Sequence, residues 1–236
     1  MTEVLVITPV KNSIATTLET ATAIGRSGVS LRHVIFNDFS EQETRLSLEE
    51  HAACIGYELI HLEDITTTPS PNYKLVLQMA QRQALEKGLP LLIVESDVVV
   101  ERDTVEGMLR FYEEHPQAGL IGAVTHDESG RVNFPYLKFK DNKEEVIQTT
   151  RSLSFCCTLV SKEFLRNFSF MELNNGKDWY DTFISKKAVE MGYKNYVLMN
   201  LPVIHKPHGS RPWKQLKYKN PFKYYFIKYL KGLDKI

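Results

Sequence analysis

The sequence predicts an α/β fold in which a mostly parallel β-sheet is covered by helices on its faces. Three observations predict it. Short, apolar, β-branched runs alternate with helix-periodic stretches from residue 4 to residue 94. The connections between them are short, as βαβ crossovers require. Each strand-like run ends in polar residues, and in open α/β sheets the carboxyl ends of the strands are where ligands bind.

The elements follow in order. Residues 4–10, VLVITPV, form a strand stopped by Pro9. Residues 13–28 place Ile14, Leu18, Ala21 and Ile24 at helical spacing and close on Gly25 and Gly28. LRHVIFND (31–38) is the second strand. The helix over 40–56 opens with Ser40 and has Glu43 three positions on, a capping-box signature. YELIHLE (57–63) is the third strand, followed by the turn-rich DITTTPSP. A helix over 72–88 is opened by Asn72 and closed by Gly88. The fourth strand, from Leu89 to Val94, runs into Glu95 and Asp97 before Val98 to Val100 turn apolar again.

The second half is less regular. Residues 101–116 read as a helix, 118–127 as a strand, and 128–151 as irregular or antiparallel. Residues 153–168 read as strand then helix. A helix over 178–194 has Phe183, Ile184, Ala188 and Met191 on one face, and NYVLMNLPVIH is the last strand. With no repeat and no low-complexity linker, residues 1–210 read as one domain and 211–236 as a tail.

Composition is that of an ordinary globular protein, with 43% hydrophobic and 25% charged residues. The zero net charge hides an asymmetry: residues 206–236 carry nine Lys/Arg against Asp234 alone, leaving twenty Lys/Arg and twenty-eight Asp/Glu in 1–205. Cys54, Cys156 and Cys157 have neither CxxC nor ligand spacing, which argues against a disulfide framework or zinc knuckle. They read as reduced, mostly buried thiols, with Cys156 and Cys157 as core fillers. The amino terminus lacks the pattern of a signal peptide, and no apolar run approaches the roughly 20 residues that span a bilayer. A cytoplasmic protein is expected, soluble or peripheral on the inner face of the plasma membrane.

Polar groups converge on one edge of the sheet: Thr8, Lys11 and Asn12 after the first strand, Asn37 and Asp38 after the second, and Glu95, Ser96 and Asp97 after the fourth. Two acids two residues apart at a strand end suit a hard divalent cation that bridges the phosphates of a nucleotide.

The blocks VLVITPVKN, HVIFNDFS, LLIVESDVVVERDTVEGML, SFCCTLVSKEFL and WYDTFISKKAVEMGYKNYVLMNLPVIH occur in the order and spacing of family-two glycosyltransferases. The resemblance covers roughly residues 3–208. It implies a GT-A, Rossmann-like fold, a nucleotide-sugar donor and Mn2+ or Mg2+. By position, Pro9 and Asn12 match the nucleotide-binding turn, and Asp38 matches the acid that accepts a hydrogen bond from the base, usually uracil. Glu95, Ser96 and Asp97 match the DxD motif, whose last Asp holds the cation; Glu95 departs from the usual Asp. Asp181 matches the acid that deprotonates the acceptor hydroxyl, with Tyr180 in place of the Glu often found before it and Asp178 as its competitor. His205 matches a metal-ligating histidine, and His208 beside it is the alternative. Lys11 or Lys74 would stabilise the departing diphosphate.

The resemblance therefore implies a metal-dependent, inverting hexosyl- or N-acetylhexosaminyl-transferase using a UDP-sugar. The acceptor expected is a growing glycan of a bacterial surface polysaccharide or a lipid-linked oligosaccharide. The rivals are a sugar-1-phosphate nucleotidyltransferase, whose glycine-rich first loop is missing from TPVKNSIATT, and a catalytically silent glycan- or nucleotide-binding homologue. Trp179 and Trp213 are candidates for stacking on sugars. In the tail, Phe222, Tyr225, Phe226, Tyr229 and Leu233 share a helical face opposite Lys228, Lys231 and Lys235. Such a helix suits an anionic membrane surface, the domain itself, or a second copy in a homodimer. Nucleic acid is the weakest partner for it.

Overall fold

The computed structural model describes residues 3–175, 179–206 and 220–230. Its first half contains β1 (Val4–Val10), α1 (Ile14–Gly25), β2 (Leu31–Asn37), α2 (Gln42–Ile55), β3 (Glu58–His61), α3 (Tyr73–Lys87) and β4 (Leu91–Val94). Then come β5 (Val98–Val99), α4 (Thr104–Glu114), β6 (Ala118–His126), β7 (Val146–Thr149), β8 (Cys157–Val160) and α5 (Lys162–Asn167). The chain continues with α6 (Tyr180–Glu190), β9 (Lys194–His205) and α7 (Pro221–Leu230).

The strands form one sheet in the order β3-β2-β1-β4-β8-β6-β9-β5, with β7 also paired to β9. Strands β1 to β4 are mutually parallel, as the βαβ pattern predicts. Strand β8 is antiparallel to both β4 and β6, and β6 and β9 are parallel. Residues 128–151, read as irregular or antiparallel, contribute a short 3-10 turn and then β7, antiparallel to β9.

Alternation along β1 explains its unbroken apolar run. Leu5 and Ile7 point into one core with Val76, Leu77 and Ala80 of α3. Val4 and Val6 point into another with Ile24 of α1 and Val105, Met108 and Leu109 of α4. A strand buried on both faces needs apolar residues at every position. Gly56 and Gly88 end α2 and α3 in the left-handed conformation that glycine adopts without a Cβ clash.

Several local expectations are corrected. Helix α2 starts at Gln42 without a side-chain cap, because the Ser40 hydroxyl instead accepts a hydrogen bond from the Asn12 backbone N–H across the loop. The face that α6 buries is Tyr180, Ile184, Ser185 and Ala188; Phe183 and Met191 stay exposed at its edge. Cys54 is exposed rather than buried. In α7, Phe222, Tyr225 and Phe226 face solvent and Tyr224 is buried among the described side chains. Trp213, Lys231, Leu233, Lys235 and the side chains of Lys228 and Tyr229 lie outside the described residues. No helix among the described residues is long and apolar enough to cross a membrane.

Candidate functional site

The carboxyl ends of β1 and β2 are tied together. The Lys11 ammonium donates to the Phe39 carbonyl, and the Glu41 N–H donates to Asn12 Oδ1 at 2.7 Å. Asn12 (φ 49°), Phe39 (φ 56°) and Trp179 (φ 69°) are the non-glycine residues with positive φ among the described residues. All three sit in loops at this edge, and strained backbone of that kind gathers at functional sites. Pro9 is half-buried in register with Phe36.

Thr8 does not face this edge. Its hydroxyl lies 2.9 Å from His33 Nε2 inside the layer between the sheet and α1 and α2. Burial lowers the His33 pKa to about 3, so the imidazole is neutral there. The parity of β1 sets the outcome: Thr8 shares its face with Val4 and Val6.

Asp38 is 8% exposed and clamps the loop that enters α3. Its Oδ2 accepts from the Ser70 hydroxyl at 2.7 Å and from the Asn72 N–H at 2.8 Å. Its Oδ1 accepts from Asn72 Nδ2 at 2.8 Å. A carboxylate oxygen has two lone pairs, so one on Oδ1 is not used by these bonds.

Beyond β4 the chain turns sharply, and four potential metal donors meet. Glu95 N–H bonds to the Cys156 carbonyl at 3.0 Å, continuing the antiparallel pairing of β4 with β8. On the other side Val98 pairs with His205, and the Lys206 N–H bonds to the Asp97 carbonyl at 2.8 Å. Ligand atoms of Glu95, Cys156 and His205 all lie within 4.8 Å of one another. Asp97 Oδ2 stands 3.7 Å from His205 Nε2. Asp97, Cys156 and His205 are buried, as is Ser96 between the two acids in sequence, and Glu95 is half-buried.

The histidine is oriented for ligation. His205 Nδ1 lies 2.7 Å from the Phe134 carbonyl, which can only accept, so Nδ1 carries the proton and Nε2 turns toward Asp97 and Cys156. A backbone carbonyl on the far nitrogen is the usual support of a metal-bound imidazole. Burial opposes charge on His205, yet Cys156 and Asp97 outweigh it and raise its pKa. The Cys156 thiol is itself pushed up by burial, and then by Glu95, so Asp97 is the charge that acts near neutrality. The raised pKa makes the His205 imidazolium the positive charge among these carboxylates, and a divalent cation that replaces its Nε2 proton fits the donor set.

The Lys74 ammonium does not reach this cluster through any contact seen here; it donates to the Leu173 carbonyl and, at 3.0 Å, to Asn175 Oδ1. It thereby holds the segment that leads to α6. Tyr180 is buried with its ring 6.3 Å from that of Tyr73, which is in turn 6.3 Å from Phe155, the neighbour of Cys156. This stack sets the amino end of α6 beside the same edge. Asp181, half-buried in the first turn of α6, accepts the Thr182 N–H at 2.8 Å. Asp178 and His208 lie outside the described residues.

A separate open cavity of about 720 Å³ is lined by residues including His126, Asp127, Arg131, Lys140 and Glu144. It uses the polar 128–145 stretch and shares no residue with the cluster.

Three contributors escaped the sequence. Cys156 is buried in the core as the sequence suggests, and its register one step beyond the Val94–Cys157 pair also puts it against Glu95. Ser70 reads as part of a turn-rich break and Asn72 as the opening of a helix, and both are partners of Asp38. Pairing register between β4 and β8 would have found the first; nothing in the sequence marks the second.

The family model described as glycosyl transferase family 2 matches residues 5–168. No curated protein matches the chain in sequence. Among solved structures, TarS 1-349 of S. aureus in complex with UDP-GlcNAc is similar over 98% of this chain and 65% of its own, at 19% identity and a TM-score of 0.68. A mannosyltransferase from Pyrobaculum calidifontis in complex with GDP-Man and Mn2+ is similar over 97% and 64%, at 15% identity and 0.65. GalNAc-T7 with UDP, GalNAc and Mn2+ is similar over 87% and 44%, at 13% identity and 0.63. The chain thus spans less than two thirds of the length of these structures, and at such identities the likeness is one of fold.

Proposed function

The chain belongs to glycosyl transferase family 2, and from that premise we propose that it moves a sugar from a nucleotide sugar, a UDP-sugar first, to a glycan or lipid-linked hydroxyl with inversion. The observation that carries this reading is the meeting of Glu95, Asp97 and His205 at the strand ends, with His205 held by the Phe134 carbonyl. Of the solved neighbours of the same fold, two bear nucleotide sugars, one bears UDP and GalNAc, and two bear Mn2+.

Asp97 and His205, with Glu95, would hold the cation, Mn2+ or Mg2+, and a cation bound there supplies positive charge to the departing diphosphate. Asp38 offers its free Oδ1 lone pair to the base, and the loop joined by Asn12 and Glu41 covers the nucleoside. Lys11 and Lys74 act on the ligand only indirectly, through the loops they tie down. Asp181 takes the proton from the acceptor hydroxyl as that oxygen attacks the anomeric carbon. The bond to the diphosphate breaks on the opposite face, so one displacement inverts the centre.

Residues 1–210 would form the catalytic unit. The exposed Phe222, Tyr225 and Phe226 with Lys223 favour a tail, 211–236, that rests on an anionic membrane surface carrying the acceptor.

The test is a panel of UDP- and GDP-sugars with Mn2+ or Mg2+, scored by nucleotide release and by binding. One UDP-sugar should be turned over only with the cation present. Asp181→Asn should abolish transfer while leaving nucleotide affinity within about twofold, the pattern of a group that acts only in the transition state. Binding without turnover by the unaltered chain, with every donor, would favour the silent homologue.

A further inference from the structure

We propose that Cys156 is a thiolate donor to the same cation, so that this site takes borderline or soft divalent ions such as Zn2+ and Co2+ in preference to Mg2+. The inference rests on the cation reading above and deepens it. Cys156 Sγ lies 3.5 Å from Glu95 Oε2, 4.0 Å from His205 Nε2 and 3.3 Å from the Ser154 hydroxyl.

Those separations suit a shared ion. With metal–sulfur bonds of about 2.3 Å and metal–nitrogen bonds of about 2.0–2.1 Å, sulfur and nitrogen of a tetrahedral site stand roughly 3.5 Å apart. Cys156 and His205 therefore need to close by about half an ångström to share one ion. Backbone pairing sets the two residues opposite each other: the Glu95 N–H is bonded to the Cys156 carbonyl at 3.0 Å. Cys156 is also distinct from its neighbour. Both border the same core, but the Cys157 sulfur lies 3.9 Å from Met108 Sδ, whereas that of Cys156 meets Glu95 and His205.

The chemistry follows from donor softness. Carboxylates and water suit Mg2+ and Mn2+, imidazole suits Zn2+ and Co2+, and a thiolate adds a strong bias toward the latter. Coordination exchanges the thiol proton for the metal, with no change in oxidation state. A bulk Mg2+ supply would then compete poorly, and traces of Zn2+ would occupy the site.

Co2+ titration followed by absorbance provides a readout independent of turnover. A Cys54→Ser background removes the exposed thiol. In that background a near-ultraviolet thiolate-to-cobalt charge-transfer band is expected. Cys156→Ser should abolish the band and lower Zn2+ affinity relative to Mn2+ by about tenfold or more, the low end of what losing even an outer-shell partner costs. Cys157→Ser should leave both unchanged. Mn2+ binding by Cys156→Ser, measured calorimetrically, reports that the variant is folded and its other donors are in place.

Mn2+ binding with no charge-transfer band would overturn the thiolate role and leave the cation reading intact, Cys156 then being a simple hydrogen-bond donor to Glu95. A band that survives Cys156→Ser would also overturn it. Failure to bind Co2+, Zn2+ or Mn2+ at all would sink both.

Discussion

Asp38 clamps the loop that enters α3 and is the residue proposed to meet the base, and its replacement tests both. In Asp38→Ala the Asn72 N–H loses its partner in a buried setting, and Asn72 Nδ2 keeps only the Thr68 carbonyl at 2.9 Å. The Ser70 hydroxyl is half-buried and recovers a bond from water. One orphaned buried donor costs about 1–3 kcal/mol, and a lost bond to a charged group about 1.5–3 kcal/mol. Relief of a buried carboxylate offsets part of that, so a net loss of about 2–4 kcal/mol is expected. Asp38→Asn keeps an oxygen for Ser70 and the Asn72 N–H but turns an NH2 toward Asn72 Nδ2. It should cost about 1 kcal/mol, roughly one neutral hydrogen bond. Urea unfolding followed by circular dichroism measures both, as shifts in midpoint at constant slope. Nucleotide affinity should fall in both variants, because the remaining Oδ1 lone pair is lost or replaced. If Asp38→Ala unfolded within about 0.5 kcal/mol of the unaltered chain, the spread of ordinary surface substitutions, the clamp would be discarded.

Three further predictions concern stability. His33 is held neutral in the fold with a pKa near 3, so below its ordinary value of 6.5 only the unfolded chain takes up the proton. Stability should therefore fall as pH drops from 6.5 toward 3, by about 1.4 kcal/mol per unit, or roughly 2 kcal/mol at about pH 5; His33→Gln should lose that much less between pH 7 and 5, and equal losses in both chains would refute the burial. Gly122→Ala would set a Cβ 2.6 Å from the hydroxyl of Tyr136, which is fully buried, and should cost about 1–3 kcal/mol of overpacking. Gly107→Ala meets only the tip of Leu201, at 2.6 Å, on a helix that gains from alanine, and should lie within about 1 kcal/mol of neutral in the same urea assay.

Legibility differed by residue. Asp97 and His205 could be placed from position in a known order of blocks, and the fold brings them to 3.7 Å. Thr8 was misplaced because polarity at a strand end was taken for accessibility, whereas its parity along β1 aims it at His33. The Ser40–Glu43 capping signature failed because Asn12, a residue twenty-eight positions earlier, claimed the Ser40 hydroxyl. Lys74 was offered to a phosphate by its charge alone, and its reach to Leu173 depends on a contact across ninety-nine residues.

Local sequence settled the alternation of strands and helices through the first half, the apolar runs that become β1 and β4, and the edge at which polar groups gather. Each of these follows from side-chain period and turn chemistry, which act over a few residues. The tertiary structure decided which face of each strand meets which layer, which loops stitch to one another, and that a cysteine on β8's approach stands against Glu95. Those are matters of register between segments some sixty residues apart, set by packing of the whole core, and no short-range pattern encodes them.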